Sequence, residues 1–139
     1  MVGIVLVTHG GLGQEMLRTA EGIVGPIEAS RAVAIESRES MDQIREKMAQ
    51  AIGEVDAGQG VLVLTDMFGG TPANLALTFL DERRVEVVTG VNLPMVLKLG
   101  TSRAEAATLS EAAHSIATYG QKNIVHASEL LARGEGAQR

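Results

Sequence analysis

Gly60-Val61-Leu62-Val63-Leu64-Thr65-Asp66-Met67-Phe68-Gly69-Gly70-Thr71-Pro72 is the stretch on which the fold turns. The unbroken apolar run from Val61 to Leu64 reads as a strand buried on both faces, since a strand with one wet face would alternate. Asp66 closes the strand and a glycine turn follows. Thr71 suits a helix N-cap and Pro72 the first helical position. Leu75, Ala76, Phe79 and Leu80 then continue one helical face.

The same grammar opens the chain. Val2-Gly3-Ile4-Val5-Leu6-Val7-Thr8 is a second near-continuous apolar strand, and His9-Gly10-Gly11-Leu12-Gly13 is its turn. Met16, Leu17, Ala20, Ile23 and Val24 share one helical face until Gly25-Pro26 stops it. A weaker strand spans about Arg31 to Glu36. Ser40 and Gln43 have the spacing of a capping box, followed by the stripe Met41, Ile44, Met48, Ile52 and Val55. Val85 to Thr89 is a fourth strand. Helical pieces follow around Pro94–Leu99 and Leu109–Tyr119, and Asn123 to Ser128 reads as a last short strand. Residues 131–139 are expected to fray.

Strand–helix–strand alternation with doubly buried strands predicts an α/β fold. The expected form is a single domain over residues 1–130, a flavodoxin-like doubly wound, mainly parallel sheet with helices on both faces. In that order strands one and three are neighbours, and ligands bind beyond their carboxyl ends. His9 ends the first and Asp66 the third, so two polar residues far apart in the chain should meet at one crevice.

Composition narrows the function. The 139 residues carry a net charge of −5, with 45% hydrophobic, 21% charged and 2% aromatic residues. An acidic chain poor in stacking rings is a weak candidate for nucleic-acid binding. No cysteine is present, which removes disulfides, thiolate nucleophiles and Cys-ligated zinc. No apolar run approaches the roughly 18 residues of a membrane span, and Met1 leads straight into a strand with no basic leader, so a cytoplasmic location is expected.

A carboxylate bonded to one imidazole nitrogen fixes the tautomer, raises ring basicity and leaves the other nitrogen's lone pair facing out. That makes His9, paired with Asp66, a candidate nucleophile. Gly10 and Gly11 on one side, and Gly69, Gly70 and Thr71 on the other, permit close backbone approach to an anion. Phosphoryl transfer asks mainly for such positioning and charge stabilisation. There is no G-x-G-x-x-G and no GxxxxGK[ST], which counts against a dinucleotide site or P-loop. A His/Asp metal site needs a further ligand, and none is nominated, so no metal or organic cofactor is expected. A non-catalytic small-ligand or nucleotide-binding module at the same crevice stays open as the alternative, as does a metal-dependent hydrolase.

At Ile4–Gly10, Gly60–Asn74 and Gly90-Val91-Asn92-Leu93-Pro94-Met95 the chain resembles the mannose-family IIA component of the bacterial phosphoenolpyruvate-dependent sugar phosphotransferase system. The resemblance implies that His9 accepts a phosphoryl group from the phosphorylated histidine-containing carrier protein, with Asp66 as its partner carboxylate. The group then passes to a separate IIB component for sugar uptake, or to a regulatory target. A membrane is involved only indirectly, through a permease. The resemblance also implies a homodimer whose last strand, here Asn123 to Ser128, can cross to the other subunit. Some members carry Trp where this chain has Phe68.

Milder readings stand beside these. Met67 and Phe68 read as loop packing or as a docking rim, and Asn92 as a turn former. His114 reads as a surface residue and His126 as structural or interfacial. Arg31, Arg38, Arg83 and Arg84 read as solvated.

Overall fold

Apolar residues on alternate faces of four short strands divide the molecule into two cores. The computed structural model describes residues 1–80 and 84–134. Strands β1 (Gly3–His9), β2 (Ser30–Ile35), β3 (Val61–Thr65) and β4 (Val85–Thr89) form one sheet in the order β2-β1-β3-β4. All three pairings are parallel. Between and after them lie α1 (Leu12–Val24), α2 (Met41–Val55), α3 (Thr71–Leu77), α4 (Leu93–Ser102), α5 (Leu109–Lys122) and α6 (Ala127–Ala132).

Val5, Val7, Val61 and Val63 point to one side, where they pack with Ile44, Met48 and Ile52 of α2 and with Ala76 and Phe79. Ile4, Leu6, Leu62 and Leu64 point to the other, against Ala20 of α1, Met95, Val96 and Leu99 of α4, and Ile116 of α5. The eight strand residues are almost wholly buried, which is why both strands read as continuous apolar runs. Val7 lies opposite Thr65 in the register, so β1 runs two residues past the end of β3, to His9. The expected doubly wound α/β architecture is therefore present.

Local chemistry explains the starts of α2 and α4. Ser40 accepts from the Gln43 amide at 3.2 Å while the Gln43 side chain accepts from the Ser40 amide at 2.9 Å, the reciprocal box read from sequence. Asn92, read as a turn former, caps α4 by accepting from the Met95 amide at 3.1 Å. Its amide group also donates to the Gly120 carbonyl at 3.2 Å, tying α4 to α5.

Several expectations need correction. Asn123 to Ser128 forms no strand: Asn123 closes α5, and Ala127 and Ser128 already belong to α6. A strand that short needs a neighbour for its backbone groups, and β2 and β4 remain the sheet edges without it. Ile124 and Val125 are left exposed, at 78% and 54%. The expected fraying tail begins inside α6, which runs to Ala132, and residues 135–139 lie outside those described. Ile23 and Met41 match the helical period but lie near the end of α1 and at the start of α2, and both are exposed.

Close helix–sheet packing makes one glycine obligatory. A Cβ on Gly3 would stand 2.4 Å from the Val55 carbonyl oxygen, a backbone atom that cannot rotate away. Gly3→Ala should therefore cost about 1–3 kcal/mol by forcing β1 and α2 apart. Urea denaturation checks this; an unchanged midpoint would show that the contact relaxes freely.

Candidate functional site

The sheet brings His9 and Asp66 together across 57 residues of sequence. His9 is the last residue of β1 and Asp66 follows β3 directly. One carboxylate oxygen, Oδ2, lies 2.8 Å from His9 Nδ1 and accepts the His9 backbone amide at 3.0 Å. The other, Oδ1, accepts the Met67 amide at 3.1 Å. Three N–H groups thus hold the carboxylate at the strand end. Asp66 is 12% exposed and the His9 side chain 51% exposed, so the acid lies beneath a ring that faces solvent.

A carboxylate only accepts hydrogen bonds, so the ring proton sits on Nδ1 and the Nε2 lone pair is free. Burial pushes the Asp66 pKa up, but the bonds from the His9 ring and amide, with attraction to the ring, outweigh it. The net shift is downward. The carboxylate stays ionised beside the ring and can balance positive charge developing there.

Gly70 packs against the free side of the imidazole. A Cβ there would lie 2.8 Å from His9 Cε1 and 3.2 Å from Nε2. Gly70 is also the N-cap of α3, with extended backbone and no side-chain capping bond, and Thr71 is the first helical residue. This corrects the expectation that Thr71 caps α3: the cap falls where a side chain would strike His9. Gly70→Ala should turn the ring off Asp66 and slow chemistry at Nε2 by about 10- to 100-fold, since small misplacements of a reacting group carry that penalty. Thermal melting should barely change. Wild-type rates in this variant would show that the ring tolerates the methyl group.

The other predicted anion-holding residues have distinct places. Gly10 turns the chain at φ +55°, and its amide is already donated to the Ile35 carbonyl at 2.9 Å. Leu12 opens α1 just after Gly11, and Thr71 opens α3 just after Gly70, where the first amides of a helix have no helical acceptor. His9, Gly10 and Thr71 line one open cleft of about 570 Å³, which Ile35, Glu36 and Met41 continue. Phe68 and Met67, in the turn after Asp66, are 77% and 53% exposed.

His114 and His126 lie away from this cleft; both are exposed, and His126 Nδ1 meets Glu129 at 2.9 Å. Arg31 pairs with Glu54 at 2.9 Å, Arg38 and Arg84 are exposed, and Arg83 lies outside the described residues. Among the described residues no three His, Cys, Asp or Glu side chains gather as metal ligands. Sequence reading missed Thr8 and Thr65, which are buried just inside the two strand ends and bond the loops above. A threonine directly before each of His9 and Asp66 in the sequence was the available signal.

Comparison with known proteins decides the family. The family described as "EIIA-man: PTS system fructose IIA component" matches residues 3–117. The chain belongs to the mannose-type IIA family. The fructose-specific EIIA component of Bacillus subtilis is 28% identical, with the alignment covering 100% of this chain and 95% of that protein. The mannose-specific EIIAB component of Escherichia coli K12 is 32% identical over 79% of this chain, but the match spans only 34% of that longer protein. A phosphotransferase system EIIA structure from Streptococcus agalactiae superposes with a TM-score of 0.84 at 26% identity, covering 93% of this chain and 99% of that one. This IIA chain is a phosphocarrier of the sugar phosphotransferase system, with phosphotransferase activity in the general sense.

Proposed function

We propose that this IIA chain is a protein-histidine phosphotransferase that carries its phosphoryl group on His9 Nε2. The reading rests above all on the 2.8 Å contact between His9 Nδ1 and Asp66 Oδ2. The Nε2 lone pair attacks phosphorus on the donor's phosphohistidine. The donor P–N bond breaks, its electron pair returns to the donor imidazole, and a P–Nε2 bond forms. The His9 ring then carries positive charge with its proton still on Nδ1, and Asp66 stabilises it. The amides of Gly11, Gly69, Gly70 and Thr71 supply donors for the phosphoryl oxygens, with Thr71 contributing its hydroxyl. Gly10 shapes the turn.

The donor is the phosphorylated histidine-containing carrier protein and the acceptor a IIB component or a regulatory target. Exposed Met67 and Phe68 offer both partners an apolar docking rim beside the cleft. Residues 1–130 act as one phosphotransfer domain. Ile124, Val125 and Leu131, all more than half exposed, offer apolar surface for a second copy, in keeping with a homodimer. The proposed place of work is the cytoplasm; no helix among the described residues is long and apolar enough to cross a membrane.

Incubation with phosphoenolpyruvate and the two upstream carrier proteins should add one acid-labile phosphate per chain, seen as a mass increase that mild acid reverses. A chain that stays unlabelled beside a labelled carrier would refute this function. Tight binding of a nucleotide or flavin by the unlabelled chain would favour a ligand-binding module instead.

A further inference from the structure

Thr8 is fully buried beneath the first glycine turn, on the sheet face that packs α1, α4 and α5. Its hydroxyl has two partners, one in the turn that follows and one in the first turn of α1. It accepts the Gly13 amide at 2.8 Å and donates to the Gly10 carbonyl at 3.2 Å. Gly13 lies in the first turn of α1, where an amide has no helical acceptor. A Cβ on Gly13 would come within 3.2 Å of the Thr8 hydroxyl, so helix and strand end are packed to contact there.

These bonds decide which backbone groups of the turn face the reacting ring. The Gly10 carbonyl, which would repel a phosphoryl oxygen, is held by the Thr8 hydroxyl. The Gly13 amide is consumed by the same hydroxyl. The Gly11 and Leu12 amides between them belong to the start of α1, which has no helical acceptors for its first amides, and follow His9 and Gly10 in the turn. Thr65 treats the second turn similarly but more loosely, donating to the Met67 carbonyl at 3.4 Å.

We propose that Thr8 is a positioning residue for phosphoryl transfer: its buried hydroxyl clamps the Gly10–Gly13 turn so that the Gly11 and Leu12 amides face the group on His9. This rests on the reading that His9 accepts the phosphoryl group. Thr8 touches no reactant; it acts through the loop. Removing the hydroxyl while keeping the shape frees the Gly10 carbonyl and leaves the Gly13 amide without a partner in a site closed to water.

The test compares Thr8→Val, which keeps the volume, with Thr8→Ser, which keeps the hydroxyl, using phosphorylated carrier protein as donor in single-turnover transfer. Thr8→Val should lower the maximal transfer rate about 10- to 100-fold with an unchanged half-saturating donor concentration, since the docking rim is untouched. Thr8→Ser should restore the rate although it loses the methyl packing. Should Thr8→Val not fold, Thr8→Ala is the second hydroxyl-free variant and should show the same slow transfer. Wild-type transfer in a folded hydroxyl-free variant, or slow transfer in Thr8→Ser, would overturn the proposal. A His9→Ala control separates the two failures. If that variant still accepts phosphate, the acceptor assignment falls; if it does not while Thr8→Val transfers normally, only the clamp falls.

Discussion

His9→Ala should abolish phosphate incorporation from the phosphorylated carrier protein while the fold survives. No other histidine can replace it, because His114 and His126 are exposed on α5 and at the start of α6 and neither lines the cleft. The loss should be absolute rather than graded, since the substitution removes the atom to which phosphorus bonds. The His9 ring is 51% exposed, so its removal opens no core cavity and the melting temperature should stay close to wild type. Mass spectrometry of the chain after incubation with the full donor system reads the outcome. Labelling that persists in His9→Ala would place the acceptor elsewhere.

Asp66→Asn should slow transfer by about 10- to 100-fold, the usual range when a carboxylate orienting a histidine is removed. The reason is in the donor count. Asp66 accepts three N–H groups, two on Oδ2 and one on Oδ1. Asparagine has one oxygen and one NH2, so at least one of those donors must face another donor. If the NH2 turns toward the ring, it favours the tautomer with the proton on Nε2, which blocks attack. In either orientation the charge that balances a phosphorylated ring is gone.

The same pair sets a pH dependence. The folded Asp66 pKa lies below its ordinary value because the His9 contacts outweigh the effect of burial. A depressed carboxylate pKa contributes stability that is fully present above the unfolded value, about 4, and is lost as pH falls through the folded one. Urea midpoints of wild type and Asp66→Asn should therefore draw together as pH falls from about 5 into more acidic solution. A difference that stays the same through that acidic range would remove the proposed pairing.

Much of this was legible in the sequence because β1 and β3 are buried on both faces. Val5 and Val7 face one helical layer, Ile4 and Leu6 the other, and such a strand admits few alternatives. Parallel order then places the residues that follow the two strands side by side, so the His9–Asp66 pair could be read from topology alone. Local signals also survived where chemistry is local, as at Ser40 with Gln43.

What was hidden depends on contacts between distant segments. The cap of α3 falls on Gly70 rather than Thr71, and the His9 ring beside residue 70 leaves no room there for a capping side chain. The Gly10 amide is spent on Ile35 of the neighbouring strand. Thr8 looked like one more β-branched strand residue, and only the folded turn shows what its hydroxyl holds. Asn123 to Ser128 has strand-like composition at Ile124 and Val125, but α5 and α6 claim the residues on either side.

The most direct measurement is the nitrogen NMR spectrum of the phosphorylated chain with 15N-labelled histidine. Phosphorus should split the Nε2 resonance of His9 and no other, while Nδ1 of the same ring keeps its proton against Asp66. Splitting at His9 Nδ1, or on His114 or His126, would contradict the account, because the nitrogen assigned to the carboxylate would then be the one carrying the phosphoryl group, or the acceptor would be a different residue.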